Sequence, residues 1–141
     1  MKLPPLFEDR PFAVQLVGAI VVPVVFGIVT GLALGWNGIV YWILVGPLAI
    51  IGGFLGGMEH SGADKGFVRG LLGGLVYGSF VLIGFEIVNT EAKAYLGEPQ
   101  VGLVFATTLI GGVLGALGGA YRAKLERDQA GRATPSGVPP A

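Results

Sequence analysis

Residues 52–78 read GGFLGGMEHSGADKGFVRGLLGGLVYG: two apolar runs laced with glycine and joined by one short polar turn. Gly66, Gly70, Gly74 and Gly78 recur at every fourth position, and Gly52/Gly56 and Gly53/Gly57 repeat that spacing just upstream. A water-exposed helix would suffer for this, because each interior glycine costs about 1 kcal/mol relative to alanine. In a bilayer the same spacing lets two helix backbones approach closely. The stretch therefore predicts a hairpin of two membrane-crossing helices with glycine-rich contact faces.

The chain around the hairpin has the same character. Of 141 residues, 52% are hydrophobic and 13% charged, against roughly 25% charged in soluble domains. Glycine supplies 26 residues without a Gly-X-Y period, which excludes collagen. The long apolar runs exclude a disordered chain. Net charge is zero, with no basic stripe on the folded part, so no nucleic-acid partner is expected. The absence of cysteine removes disulfides, thiol catalysis and Cys-held metals. No cofactor is expected.

Four spans follow from the hydropathy pattern, at about 12–34, 39–58, 66–88 and 101–121. Each has about 20 residues and so about 30 Å of helix, enough to cross the hydrocarbon core. The first is longer than a signal-peptide core, follows acidic Glu8 and Asp9, and precedes no A-x-A site; it reads as a retained span. Asp9 is a candidate cap for it and Pro11 suits its first turn. Pro23 predicts a kink in its middle. Gly27, Gly31 and Gly35 predict a close-packing face there, and Gly111, Gly115 and Gly119 predict another in the fourth span. A turn at Trp36-Asn37-Gly38 joins the first two spans, and Asp64 is a candidate N-cap for the third. Residues 1–11 form a short N-terminal segment. Residues 122–141 form a tail, with RAKLERD prolonging the last helix through an Arg122–Glu126 pair and QAGRATPSGVPPA loose beyond it. The fold class is all-α: a polytopic membrane protein with a glycine-rich, close-packed four-helix bundle.

Charge sets the expected orientation. With both termini and the 59–65 loop cytoplasmic, that side carries Lys2, Arg10, Lys65, Arg69, Arg122, Lys124, Arg127 and Arg132, while the other carries only Lys93. The positive-inside rule favours this arrangement in a prokaryotic plasma membrane. Trp36, Tyr41 and Trp42 then make an aromatic belt at the outer interface. An internal duplication is one reading of two alignments. Asp9-Arg10-Pro11-Phe12 matches Asp64-Lys65-Gly66-Phe67, and Ile51-Gly52-Gly53 matches Ile110-Gly111-Gly112. Two tandem two-helix repeats would result; the other reading is that glycine-rich apolar sequence matches itself easily.

Ionisable residues in membranes are expensive and mark function, and the spans are nearly empty of them. Glu59 and His60 close the second span, yet one His with one adjacent Glu makes an incomplete metal site. Their expected use is structural, with Glu59 or Asp64 pairing with Lys65 or Arg69 to fix the hairpin. Arg69 lies about one turn inside the third span and is expected to snorkel to the interface. There, with Lys65, it could meet anionic headgroups. Glu86, near Asn89 and Glu91, is an interfacial acid or a coupling carboxylate. Tyr77, Ser79, Thr107 and Thr108 are the notable mid-span hydroxyls, too few for a polar pore. No nucleophile–base pair stands out, so enzymatic chemistry is not expected.

Two families of short four-span proteins bear comparison. Small fluoride channels are similarly glycine-rich, but of their Thr-Thr-Phe-Ser-Thr-Phe stretch only Thr107-Thr108 has an echo. Small multidrug transporters resemble the chain in length, but they need an acid deep in the first span, and 12–34 contains none. The pattern GGFLGGMEH…RGLLGG is similar to that of glycine-rich prokaryotic membrane proteins, a likeness that brings no function. The leading expectation is a non-catalytic accessory subunit or self-assembling scaffold, with the bilayer and either copies of itself or a larger membrane complex as partners. The alternative is an oligomeric channel or small-solute transporter, and a third reading is lipid handling through Lys65 and Arg69.

Overall fold

A computed structural model describes residues 3–97 and 99–133. Four helices are long and apolar enough to cross a membrane: α1 (Phe12–Trp36), α2 (Gly38–Met58), α3 (Ala63–Val88) and α4 (Gly102–Ala133). A 3₁₀ turn at Phe7–Asp9 precedes them, and no strand occurs among the described residues. The molecule is an up-and-down bundle with both described ends at one face.

The helix boundaries have local causes. Asn37 adopts an extended conformation, and its Oδ1 accepts from the backbone N–H groups of Ile39 (2.8 Å) and Val40 (3.3 Å). That is an N-cap, and it forces the turn between α1 and α2. The start of α3 differs from expectation. Gly62, with φ at +122°, occupies the N-cap position and Asp64 lies inside the first turn, making no capping bond. Only glycine adopts that backbone conformation readily. Similarly, Asp9 belongs to the 3₁₀ turn, and Pro11 stands at the N-cap of α1 without a side-chain cap. Asn89 ends α3 in the left-handed conformation, one of the few non-glycine residues suited to it. α4 continues through 129–133, which sequence reasoning assigned to a loose tail; the rest of that tail, 134–141, lies outside the described residues.

α3 is central. It packs most extensively on α4 and next on α1, while α2 packs chiefly on α4. α1 and α2 meet much less. Backbones are close at these crossings. A Cβ built on Gly66 or Gly70 would collide with the carbonyl oxygen of Gly115 or Gly111, and one on Gly74 with that of Thr107. On α4, Gly111, Gly115 and Gly119 would collide in return with the carbonyls of Gly70, Gly66 and Gly62. A Cβ on Gly27 would lie 2.7 Å from the Tyr77 carbonyl oxygen, and one on Gly31 2.7 Å from the Phe85 nitrogen. Gly57 faces the Gly115 carbonyl, Gly53 meets Leu114, Gly78 meets the Thr107 hydroxyl, and Gly35 meets Thr90 and Val88. Gly52 and Gly56 differ: nothing lies within 4 Å of a Cβ at either.

The buried apolar core sits in the half of the bundle away from the termini. Ala33, Leu34, Tyr41, Tyr77, Val81 and Phe85 form it, with Leu44, Ala94, Leu96 and Leu103 against it. Tyr41 is therefore a core residue, 1% exposed, whereas Trp36 (75%) and Trp42 (59%) stand outside; the expected belt loses its tyrosine to packing. The 89–101 connection closes this end. Lys93 N–H donates to the Leu34 carbonyl (2.9 Å) and Thr90 Oγ1 to the Gly35 carbonyl (3.0 Å), satisfying acceptors that the end of α1 leaves open.

Candidate functional site

At the opposite end the basic residues are used structurally. The N-terminal segment folds over the 59–65 turn, with Phe7 N–H donating to the Glu59 carbonyl (2.8 Å). Arg10 pairs with Glu59 (2.8 Å) and Lys65 with Glu8 (2.6 Å). The expected pairings within the hairpin are replaced by these, because the segment before α1 brings its own charges to the turn. Lys65 holds the Glu8 carboxyl below its ordinary range, by a direct hydrogen bond and by its charge. His60 lies against the Phe7 ring at 5.2 Å, and its Nε2 is buried without a hydrogen-bond partner among the described residues. Burial first, and the Arg69 charge second, push its pKa below the usual histidine value. No cluster of three metal-ligating side chains occurs among the described residues. Glu86 is exposed near the other end of α3.

Arg122, buried to 5% exposure, has a role that its sequence context only half announces. Its Nε pairs with Glu126 at 2.8 Å, as the i,i+4 spacing predicts. Its Nη1 donates to the carbonyls of Pro4 (2.7 Å) and Met58 (3.2 Å). One guanidinium thus ties α4 to the end of α2 and to the N-terminal segment. Glu126 also accepts from Ser61 Oγ (2.5 Å).

Arg69 does not snorkel outward, and the reason lies in α1. A π-helical turn spans Val17–Val21, where the Val22 N–H reaches back five residues to the Val17 carbonyl. In that register the next acceptor, the Gly18 carbonyl, faces residue 23. Pro23 has no N–H to give. Arg69 Nη2 supplies the missing bond at 2.7 Å. The expected kink is thus a π turn whose orphaned carbonyl is capped from a neighbouring helix, a recognised remedy for helix breaks in membranes. The rest of the guanidinium lies under the Phe7 ring, 5.7 Å from its centroid, and a Cβ on Gly73 would lie 3.2 Å from Nη1. Arg69 Nε is buried without a partner, and no carboxylate forms an ion pair with this side chain among the described residues.

Pro23→Ala tests the arrangement, because it returns an N–H that competes for the Gly18 carbonyl. Arg69→Met should then cost about 1 kcal/mol less stability in the Pro23→Ala background than alone. Unfolding in bicelles across the four-member cycle measures that coupling.

Beside Arg69 lies a cavity of about 320 Å³ lined by all four helices. Pro23 and Phe26 of α1, Leu48 and Gly52 of α2, and Tyr77 of α3 contribute to its wall. Tyr77 OH is engaged with Thr30 Oγ1 (3.1 Å), which donates to the Phe26 carbonyl (2.8 Å). Thr107, also in the wall, donates to the Val104 carbonyl (3.0 Å). The site therefore joins an apolar chamber to one cation. Glu59, His60 and Arg69 gather at this end of the bundle, and Glu86 is not among them.

Comparison with known proteins adds no relative: no family model, curated protein or solved structure matches the chain. The site stands on its own chemistry. Sequence reasoning singled out Arg69 but missed its partner. Neither the proline nor the arginine, read within its own span, signals the other.

Proposed function

We propose that this chain is a non-catalytic integral membrane protein, an accessory subunit or self-assembling scaffold whose helices pack through glycine-rich faces. The observation that carries the reading is the length of α4. Its 32 residues make about 48 Å of helix, some 18 Å more than the hydrocarbon core requires. The surplus lies beyond Arg122, where Lys124, Arg127 and Asp128 are exposed. A charged helix extending from a rigid bundle is suited to holding a partner beside the membrane. The glycines do not themselves call for a partner, since nearly all those of the four faces meet neighbours within the chain. The basic end is assigned to the cytoplasmic side of a prokaryotic plasma membrane by its lysines and arginines. Two tandem repeats remain part of the proposal, in that Arg10 and Lys65, equivalent in the alignment, each pair with an acid across the same turn.

The test is the mass of the intact particle taken in mild detergent from its native membrane. The expected particle is a homo-oligomer or a complex with other proteins, and Lys124→Glu/Arg127→Glu should dissociate it. A monomer of 14.5 kDa plus detergent and lipid would sink the reading. The chamber lined by all four helices favours a second reading, an oligomeric channel or small-solute transporter. Solute flux in proteoliposomes is its test.

A further inference from the structure

We infer that the cavity between α1 and α2 is a binding site for an acidic amphiphile, with the acid group on Arg69 and one alkyl chain inside the bundle. Arg69 lies six residues into a 26-residue helix, about 9 Å along its axis. That helix, about 39 Å long, exceeds a ~30 Å core by about 4–5 Å at each end if it is centred. The Arg69 Cα is thus placed a few ångströms below the hydrocarbon boundary, and its guanidinium is held on the Gly18 carbonyl of α1. A cation at that depth without a counter-charge is unfavourable. Glu59, whose charge reaches it, is already paired with Arg10.

α1 and α2 touch little, and the α2 wall of the chamber between them includes Leu48, Ile51, Gly52 and Gly56. Both glycines present bare backbone with open space above it. The remaining lining is almost wholly apolar, and its hydroxyls are spoken for. An ion alone would gain nothing from these walls, and a neutral chain would leave the guanidinium uncompensated. A molecule with an acid group and a chain satisfies both. The volume, about 320 Å³, lies at the small end of ligand sites and suits one chain. Entry from the bilayer between α1 and α2 needs no opening to water. Lys65, which sequence reasoning grouped with Arg69, is exposed and held by Glu8, so it takes no part.

Fatty acids and anionic phospholipids share this chemistry, and the experiment separates them. The full-length protein in neutral nanodiscs is titrated with palmitate, hexadecanol, phosphatidylglycerol or phosphatidylcholine, and retention is read by native mass spectrometry. Acidic probes should bind at least tenfold more tightly than their neutral counterparts. Preference for palmitate over phosphatidylglycerol would identify a fatty-acid site, and the reverse a phospholipid site; either supports the inference. Arg69→Met should remove the preference for acid. Because that variant also uncaps Gly18, Gly52→Leu is the second probe. It extends a side chain into the chamber from a position where a Cβ meets nothing within 4 Å, removes none of the Arg69 contacts, and should weaken acid binding at least tenfold. Equal retention of palmitate and hexadecanol and of the two phospholipids, or binding unchanged in Gly52→Leu, would overturn the site.

Discussion

Gly70→Ala is expected to destabilise the bundle by about 3 kcal/mol, although alanine is the better helix former. The two effects oppose each other and their sizes decide the sign. Helix propensity favours alanine by about 1 kcal/mol. Against that, the new methyl would collide with the Gly111 carbonyl oxygen, with the Gly112 Cα 3.1 Å away. Neither is the end of a flexible side chain, so no rotamer change relieves the clash. α3 and α4 must move apart along their longest shared face, losing contacts at Gly66 and Gly74 as well. Overpacking of this kind costs 1–3 kcal/mol even where side chains can adjust. Gly70→Leu should leave no folded protein. Gly52→Ala is the control: nothing within 4 Å meets its methyl, so stability should change by no more than about 1 kcal/mol, in the favourable direction. Unfolding titrations in bicelles compare the three. Equal effects at positions 70 and 52 would mean that helix propensity, and not backbone approach, governs this protein.

The contrast between those two glycines marks what a single sequence can and cannot disclose. Four apolar spans and an all-helical fold follow from run length and hydropathy, because the bilayer imposes both. The turn at Asn37 was legible for a similar reason: capping is local chemistry. Which glycine of an adjacent pair faces a neighbour is decided by helix rotation, which the spacing leaves free. A Cβ on Gly53 would meet Leu114 while one on Gly52 would meet nothing within 4 Å, although both line the chamber, and nothing in GG distinguishes them. Tyr41 and Trp42 are equally alike on paper, yet one is core and the other surface. The candidate site was legible only as an isolated Arg69. Its meaning depends on a carbonyl 51 residues away in the chain, freed by a proline in a different helix. Long-range pairing of that kind has no signature within either segment.

Arg122 carries the same lesson to its largest consequence. Sequence reasoning gave it a surface pair with Glu126, an interaction of a few tenths of a kcal/mol. Its burial makes removal cost more than that. Arg122→Ala would take away the donor for two carbonyls from different segments, Pro4 and Met58. It would also leave Glu126 with only Ser61. The Glu126 side chain is 33% exposed and Pro4 lies at the surface, so water reaches both, and the loss should be about 1–3 kcal/mol, the cost of leaving part-buried acceptors without their donor. Arg122→Lys should recover only part of this: an ammonium is a point charge, and here one planar fork bonds a carboxylate through Nε and backbone oxygens through Nη1. The N-terminal segment, held also by Phe7 N–H on Glu59 and by the Arg10 and Lys65 pairs, should loosen first. In Arg122→Ala, cleavage by a soluble protease within residues 3–10 should precede global unfolding and occur at concentrations that leave the native chain intact. If that cleavage rate and the unfolding midpoint both match the unsubstituted protein, the Arg122 bonds bear no load and the three segments are held together by their helices alone.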